Sequence, residues 1–246
     1  MYTQEARQAL LESIVEFVKC QPVFEGLLLI GSGVQDFTDV YSDIDLMAAC
    51  TLPKEAEILL CRFFEEKGAF YIDHRQWSDS VLGLSVYFEQ GLSVDLSFMP
   101  GEQIPLRTRQ WSCLVSKSKD FDALMEAKSR NISERKEAFS QHRFFYALRC
   151  MEIALRRGDL IYAEKMLSDA RNQLLLFEVQ KEGKKTHQFK AYHQLEASFL
   201  EKAAGTYPMG LSDTELKKAQ KNLLALMEET VGEIDEIQRK IWSCFE

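Results

Sequence analysis

The stretch IGS at residues 30–32, followed after ten residues by DIDL at residues 43–46, decides the fold that this sequence predicts. The apolar run VFEGLLLIG, residues 23–31, leads into it and is typical of a central strand buried on both faces. DIDL opens a second predicted strand. Because alternate side chains of a strand point to the same side, Asp43 and Asp45 face one way, while the isoleucine and leucine that follow each of them face the core.

The two aspartates on one strand face predict a metal site. Asp43 and Asp45 lie about 7 Å apart along a strand, and their negative charges repel each other, so burying them together is unfavourable. A hard dication reverses this cost, and Mg²⁺ accepts carboxylates together with phosphate oxygens.

A third acid follows the same pattern in LSVDLSF, residues 92–98. Apolar and polar residues alternate there, which places Asp95 on the polar face of another strand. Three carboxylates can hold two Mg²⁺ ions about 3.5–4 Å apart. We therefore predict Asp43, Asp45 and Asp95 as catalytic residues and metal ligands. Asp95 is a candidate acceptor for the proton of an attacking hydroxyl, with an acid of the C-terminal half as the alternative.

Three small residues are the predicted nucleotide contacts. Gly31 lets the backbone approach a phosphate closely. Ser32 adds a hydroxyl, and a helix beginning there would attract anions. Ser42, directly before the first aspartate, either contacts the nucleotide or simply ends the loop.

The pattern h-Gly-Ser, ten residues, Asp-x-Asp-h and a later h-x-Asp-h resembles the signature of the DNA polymerase β nucleotidyltransferase superfamily. Here it stands as IGS, SDIDL and SVDLS within residues 23–98. The resemblance implies a small sheet with flanking helices, two Mg²⁺ ions and a nucleoside triphosphate, with ATP as the expected donor. Many members carry an arginine shortly after the serine. This chain has Gly33-Val34-Gln35-Asp36 instead, so one phosphate contact is missing or comes from another residue.

The hydrophobic period changes from two to 3.6 near residue 130, which predicts two domains. The expected fold class is an α/β (α+β) nucleotidyltransferase domain with a small mixed sheet, residues 1–130, followed by an all-helical bundle, residues 131–246. Its helices include one at 189–203 and a long one that Ser212 caps and that extends to Ile237. By domain order and size, this half resembles that of the lincosamide and aminoglycoside nucleotidyltransferases, which implies acceptor binding. Its leucine stripes indicate a bundle core or a homodimer face.

Further cations and an acceptor surface are secondary hypotheses. His74 and Arg75 on a predicted strand, and Lys117 and Lys119 after a short apolar run, are candidate phosphate contacts. For Arg107 and Arg109, beside a proline-containing loop, a solvated role is favoured. The C-terminal half offers acidic and aromatic side chains for a cationic hydroxyl compound. The candidate cations are His74, Arg75, Arg107, Arg109, Lys117 and Lys119. The candidate acceptor residues are Phe145, Tyr146, Glu152, Tyr162 and Glu164.

Composition narrows the class of protein. The 246-residue chain is 46% hydrophobic and 28% charged, which is typical of soluble globular proteins. Its net charge of −8 disfavours nucleic acid as substrate and suits a small or cationic acceptor. No apolar run is long enough to span a membrane, and the N-terminus lacks signal-peptide features. The six cysteines form no CxxC pair, which indicates reduced core residues and a cytoplasmic location.

The sequence therefore predicts a Mg²⁺-dependent nucleotidyltransferase that moves a nucleoside monophosphate to a hydroxyl of a small molecule. AMP is the expected group, and antibiotics are among the candidate acceptors. Two alternatives stay open. One is a non-catalytic interaction protein that keeps the fold, as an antitoxin-like partner would. The other is an enzyme that modifies a protein or a tRNA.

Overall fold

The computed structural model describes residues 2–35, 42–106, 110–132, 137–184, 186 and 189–243. The chain forms two compact units, Met1–Glu134 and Arg135–Glu246. Within the described residues, every helix falls short of the length or the apolar character that crossing a bilayer requires.

The first unit is built on one mixed sheet of six described strands in the order β3-β4-β5-β2-β1-β6. Neighbouring strands are antiparallel, apart from β2 and β5, which run parallel. The predicted α/β fold with a small mixed sheet is thereby confirmed. The strands are β1 (Phe24–Leu29), β2 (Ile44–Cys50), β3 (Ala69–Gln76), β4 (Leu82–Phe88), β5 (Ser93–Met99) and β6 (Ser112–Ser116).

Helices cover the sheet on both faces. Two helices, α1 (Gln4–Cys20) and α2 (Pro53–Glu66), bury their apolar stripes against one face, which the alternating residues of β2, β4 and β5 supply. A third, α3 (Lys119–Arg130), packs on part of the opposite face. There Gly26 lets the Phe121 ring lie against the backbone of β1, since an added Cβ would come within 2.2 Å of the ring. The two-sided burial of β1 follows from this arrangement.

In the described residues of the second unit, all regular secondary structure is helical, and one apolar core joins the helices. Side chains cap three of them: Ser140, Asp159 and Ser212 each accept a backbone N–H in the first turn. Such caps satisfy donors that a helix start leaves unpaired. The helices are α4 (Gln141–Arg156), α5 (Leu160–Lys181), α6 (Ala197–Ala204), α7 (Asp213–Val231) and α8 (Glu236–Ser243).

Two helix predictions need correction, and one helix was not predicted. The helix expected at 189–203 is wrong over its first half, where a short 3₁₀ turn precedes α6. The long helix from Ser212 does not reach Ile237. This helix is α7, and it ends at Val231 because the next residue, Gly232, adopts a φ of +77° that few other residues tolerate. A separate helix, α8, follows. Helix α3 was not predicted, although Ser118 caps it and opposite charges flank its two ends.

Candidate metal and nucleotide site

The pairing of β2 with β5 brings three aspartates together. Asp45 lies directly opposite Asp95 in the parallel register, and Asp43 precedes β2 by one residue on the same face. One carboxylate oxygen of each lies within 4.8 Å of the others, and all three residues are half-buried. Sequentially distant acids thus form one cluster at the middle of the sheet.

Three carboxylates this close repel one another. At 4.8 Å each pair of full charges opposes folding by about 1–3.5 kcal/mol, depending on the local dielectric. The spacing also fits a cation: two oxygens on opposite sides of one Mg²⁺ lie about 4.2 Å apart. Small side-chain rotations would let the cluster share one ion, and all-oxygen donors suit Mg²⁺ or Mn²⁺ better than softer metals.

The Gly31 backbone lies against this cluster. Gly31 has a φ of +68°, and a Cβ added there would come within 2.2 Å of Asp45 Oδ2. The preceding residue, Ile30, donates its N–H to the Asp45 carbonyl at 3.0 Å. Ser32 follows in a short 3₁₀ turn and is half-buried. The Gly-Ser pair is therefore adjacent to the second aspartate, and only glycine fits this approach.

Tyr2, just before α1, and Arg7, within α1, hold Ser42, the residue that precedes the cluster. Neither residue was predicted from the sequence. The carbonyl oxygen of Ser42 accepts hydrogen bonds from Tyr2 Oη at 2.7 Å and from Arg7 Nη1 at 2.9 Å. Arg7 is 1% exposed. It holds an i, i+3, i+7 position on the apolar face of α1, and an arginine in such a stripe was the available signal. The hydroxyl of Ser42 stays a predicted nucleotide contact.

Arg75 and Ser85 reach the third aspartate from neighbouring strands. Arg75 Nη2 donates to Asp95 Oδ1 and to Ser85 Oγ, and Ser85 Oγ donates to the same Asp95 oxygen. The sequence suggested Arg75 as a phosphate contact, whereas here it bonds a carboxylate of the cluster. The reason lies in the register: Ser85 is opposite Asp95, and Arg75 is one row further along the same face.

Two of the other candidate cations, His74 and Lys117, contact groups outside the cluster. His74 points to the opposite face, where its Nδ1 lies 2.9 Å from Glu57 Oε1. Burial alone would raise the pKa of Glu57, but hydrogen bonds from His74 and Lys54 outweigh it and lower that pKa. Lys117 Nζ donates to the Gln21 carbonyl at 2.6 Å, and burial lowers its pKa. The candidate cations Arg107 and Arg109 lie outside the described residues. Asp36, at the position after Ser32 where an arginine would be expected, also lies outside them.

The acceptor surface expected in the C-terminal half is wrong for two of its residues. Phe145 and Glu152 are 1% and 3% exposed. Glu152 accepts hydrogen bonds from Lys217 at 3.1 Å and from Gln220 at 2.9 Å. Helix α4 packs against both α5 and α8. It therefore buries side chains over a wider part of its surface than a helix with a single neighbour, and Phe145 and Glu152 are among them. The exposed aromatic members of that set are Tyr146 and Tyr162.

Sequence comparisons do not assign this chain to a family. Neither a scan against protein-family models nor a search of curated proteins found a match.

Solved structures that align with this one include nucleotidyltransferases and a nucleotidyltransferase-like protein. An aminoglycoside 6-adenyltransferase from Bacillus subtilis aligns over 100% of this chain and 98% of its own, at 14% identity and a TM-score of 0.35. A nucleotidyltransferase-like protein from Exiguobacterium sibiricum aligns over 98% and 78%, at 13% identity and a TM-score of 0.38. Terminal uridylyl transferase 4 from Trypanosoma brucei aligns over 94% and 69%, at 13% identity and a TM-score of 0.35. Because all three TM-scores lie below 0.5, the assignments below rest on the residues of this chain.

Proposed function

We propose that this chain is a metal-dependent nucleotidyltransferase that moves AMP from ATP to a hydroxyl of a small molecule. The observation that carries the proposal is the carboxylate cluster of Asp43, Asp45 and Asp95, grouped within 4.8 Å beside the Gly31 backbone. Grouped acids at an accessible site are unfavourable unless a cation joins them, and a backbone open to close approach beside them suits a phosphate.

The three aspartates would hold Mg²⁺, and we propose two ions. A metal held there would supply positive charge to neutralise the triphosphate and the leaving pyrophosphate. The parallel register fixes Asp45 and Asp95 opposite each other, and the Ser42 carbonyl that α1 anchors fixes the start of Asp43. The sheet thereby sets the spacing of the three carboxylates without help from a substrate.

The Gly31-Ser32 pair would bind the triphosphate next to the cluster. A side chain at residue 31 would meet the Asp45 carboxylate, so glycine keeps the backbone beside the cluster free of one. A phosphate bound at the cluster would lie next to this bare main chain, and the Ser32 hydroxyl adds a donor. Ser42 is proposed as a further nucleotide contact.

The reaction is an in-line displacement at the α-phosphorus. The acceptor hydroxyl oxygen forms the new bond to phosphorus, the bond to the bridging oxygen of the β-phosphate breaks, and pyrophosphate leaves. The hydroxyl proton passes to a carboxylate, for which Asp95 is the proposed group because it lies on the cluster and is half-exposed.

Charge and cysteine chemistry support a small acceptor and a cytoplasmic setting. The net charge of −8 opposes binding to nucleic acid. The described cysteines are free thiols, as a reducing compartment favours. In this proposal residues 1–130 carry the transfer, and residues 131–246 serve acceptor binding or dimerisation.

The test is a transfer assay with α-labelled ATP and Mg²⁺ against separate panels of aminoglycosides, lincosamides, other hydroxyl compounds, proteins and tRNA. We expect label on a small molecule, with pyrophosphate released in equal amount, and none with Asp95→Asn. Label on tRNA or protein alone would replace the acceptor assignment. No label on any panel, with metal and nucleotide binding absent in calorimetry, would favour the non-catalytic alternative.

A further inference from the structure

The contact between Arg75 and the carboxylate cluster is the feature that the proposed function does not use. Arg75 bonds both Ser85 and Asp95, and these three residues come from three consecutive strands of the sheet. The Arg75 and Asp95 side chains are 38% and 44% exposed. A guanidinium cation thus already bonds one of the three carboxylates to which a divalent cation would bind.

We infer that Arg75 competes with the metal at Asp95 and so sets the affinity of the cluster for divalent cations. This inference rests on the proposed function, because it needs a metal at the three aspartates. Arg75 acts on the metal through Asp95 and has no part in the bond that forms or the bond that breaks.

The bonding at Asp95 Oδ1 explains why the two cations compete. A carboxylate oxygen offers two lone pairs, and this oxygen accepts hydrogen bonds from both Arg75 and Ser85. A metal at Oδ1 must displace one donor. A metal at Oδ2 would be held a few ångströms from the guanidinium, and like charges at that distance repel even in a mostly aqueous dielectric. Either geometry lowers metal affinity while Arg75 stays in place.

The surroundings of Arg75 favour an ion pair with Asp95 that can break when a metal binds. Among the described residues, its buried Nε has no hydrogen-bond acceptor, and an unpaired buried donor is unfavourable. The guanidinium carbon also lies 5.8 Å from the centre of the Trp77 ring. Trp77 in turn lies over Gly83, where a Cβ would come within 2.8 Å of the ring. The side chain therefore has an alternative stacking partner when it leaves Asp95.

Calorimetric titration of the full chain with Mg²⁺ and with Mn²⁺ tests the inference without any transfer reaction. We expect Arg75→Gln to bind each ion about tenfold more tightly than the unchanged protein. Arg75→Lys keeps the charge and should bind like the unchanged protein. Arg130→Gln is the matched control, because it makes the same change in net charge at an arginine that pairs with Glu126; its affinity should not change.

A second pair of proteins shows whether the effect passes through Asp95. In Asp95→Asn the metal binds more weakly, and adding Arg75→Gln should change that affinity less than threefold, because the ion pair no longer exists. Circular dichroism confirms that each variant is folded. Equal or weaker metal binding by Arg75→Gln would overturn the inference and leave the proposed function intact. If neither the unchanged protein nor Arg75→Gln binds a divalent cation, both proposals are wrong.

Discussion

Acidic side chains are arranged in opposite ways in the two units. In the sheet unit, Asp43, Asp45 and Asp95 are half-buried and face one another. In the helical unit, Glu152 and Glu178 are almost fully buried, and each faces its own lysine. The first arrangement gathers negative charge, whereas the second neutralises each charge where it stands.

The difference separates acids that are available to a ligand from acids that are paired within the fold. A buried carboxylate with its own cation and an amide donor is satisfied within the protein, as Glu152 is by Lys217 and Gln220. Grouped carboxylates store repulsion that a bound dication relieves. Substitutions in the two regions should therefore affect different quantities: activity and metal affinity in the cluster, and stability in the helical unit.

The largest expected effect is the loss of nucleotide transfer in Asp45→Asn. The rate should fall at least about a thousandfold, because Asp45 is a proposed ligand of the metal that would stabilise transition-state charge. The free energy of unfolding should not fall and should rise by up to a few kcal/mol, since the repulsion between Asp45 and each of the other two carboxylates is removed. Transfer assays and urea unfolding measure the two quantities.

Asp73→Asn is the control for that substitution. Asp73 lies opposite Ser85 in the same row of the sheet face but outside the cluster. Its variant should retain most of the transfer rate. If Asp45→Asn loses stability rather than activity, the cluster is structural and the contrast between the two regions is wrong.

The next effect is an asymmetry in the helical unit. Lys217→Met leaves the Glu152 carboxylate buried without its cation, and we expect a loss of about 2–4 kcal/mol of unfolding free energy. Glu152→Gln should cost only about 1 kcal/mol, because the Lys217 side chain is 48% exposed and can be solvated by water. Urea unfolding at neutral pH compares the two. A larger loss for Glu152→Gln would contradict this account, and metal affinity should change in neither variant.

The smallest effect concerns the backbone beside the cluster. Gly31→Ala and Gly68→Ala both place a side chain at positive φ, +68° and +86°, which costs about 1–2 kcal/mol each. At Gly68 no atom lies within 4 Å of the added Cβ, whereas at Gly31 it meets Asp45. Metal affinity should therefore fall about tenfold in Gly31→Ala alone. Calorimetry on both variants tests this, and an equal response from the two would separate Gly31 from the site.

Much of the sheet unit could be predicted from the sequence because its signals are local. Alternation in residues 43–49 and 92–98 shows which side chains share a strand face, and the structure places β2 and β5 there. The roles of Asp43, Asp45 and Asp95, and those of Gly31, Ser32 and Ser42, stay predictions that the experiments above test. The helical unit was harder to predict from the sequence. The positive φ of Gly232 ends a helix that the 3.6-residue period continued to Ile237, and α4 buries residues that the sequence suggested as an acceptor surface.

By itself, the sequence determined which residues face the same way along each strand, because the alternation of side chains is a property of the extended backbone. Only the tertiary structure decided that β2 pairs in parallel with β5, across the intervening α2, β3 and β4, and so sets Asp45 opposite Asp95. It also decided that Arg75 reaches that carboxylate and that Arg7 holds the Ser42 carbonyl. The physical reason is that pairing between distant strands depends on how the whole sheet buries its apolar faces, which no single stretch of sequence specifies.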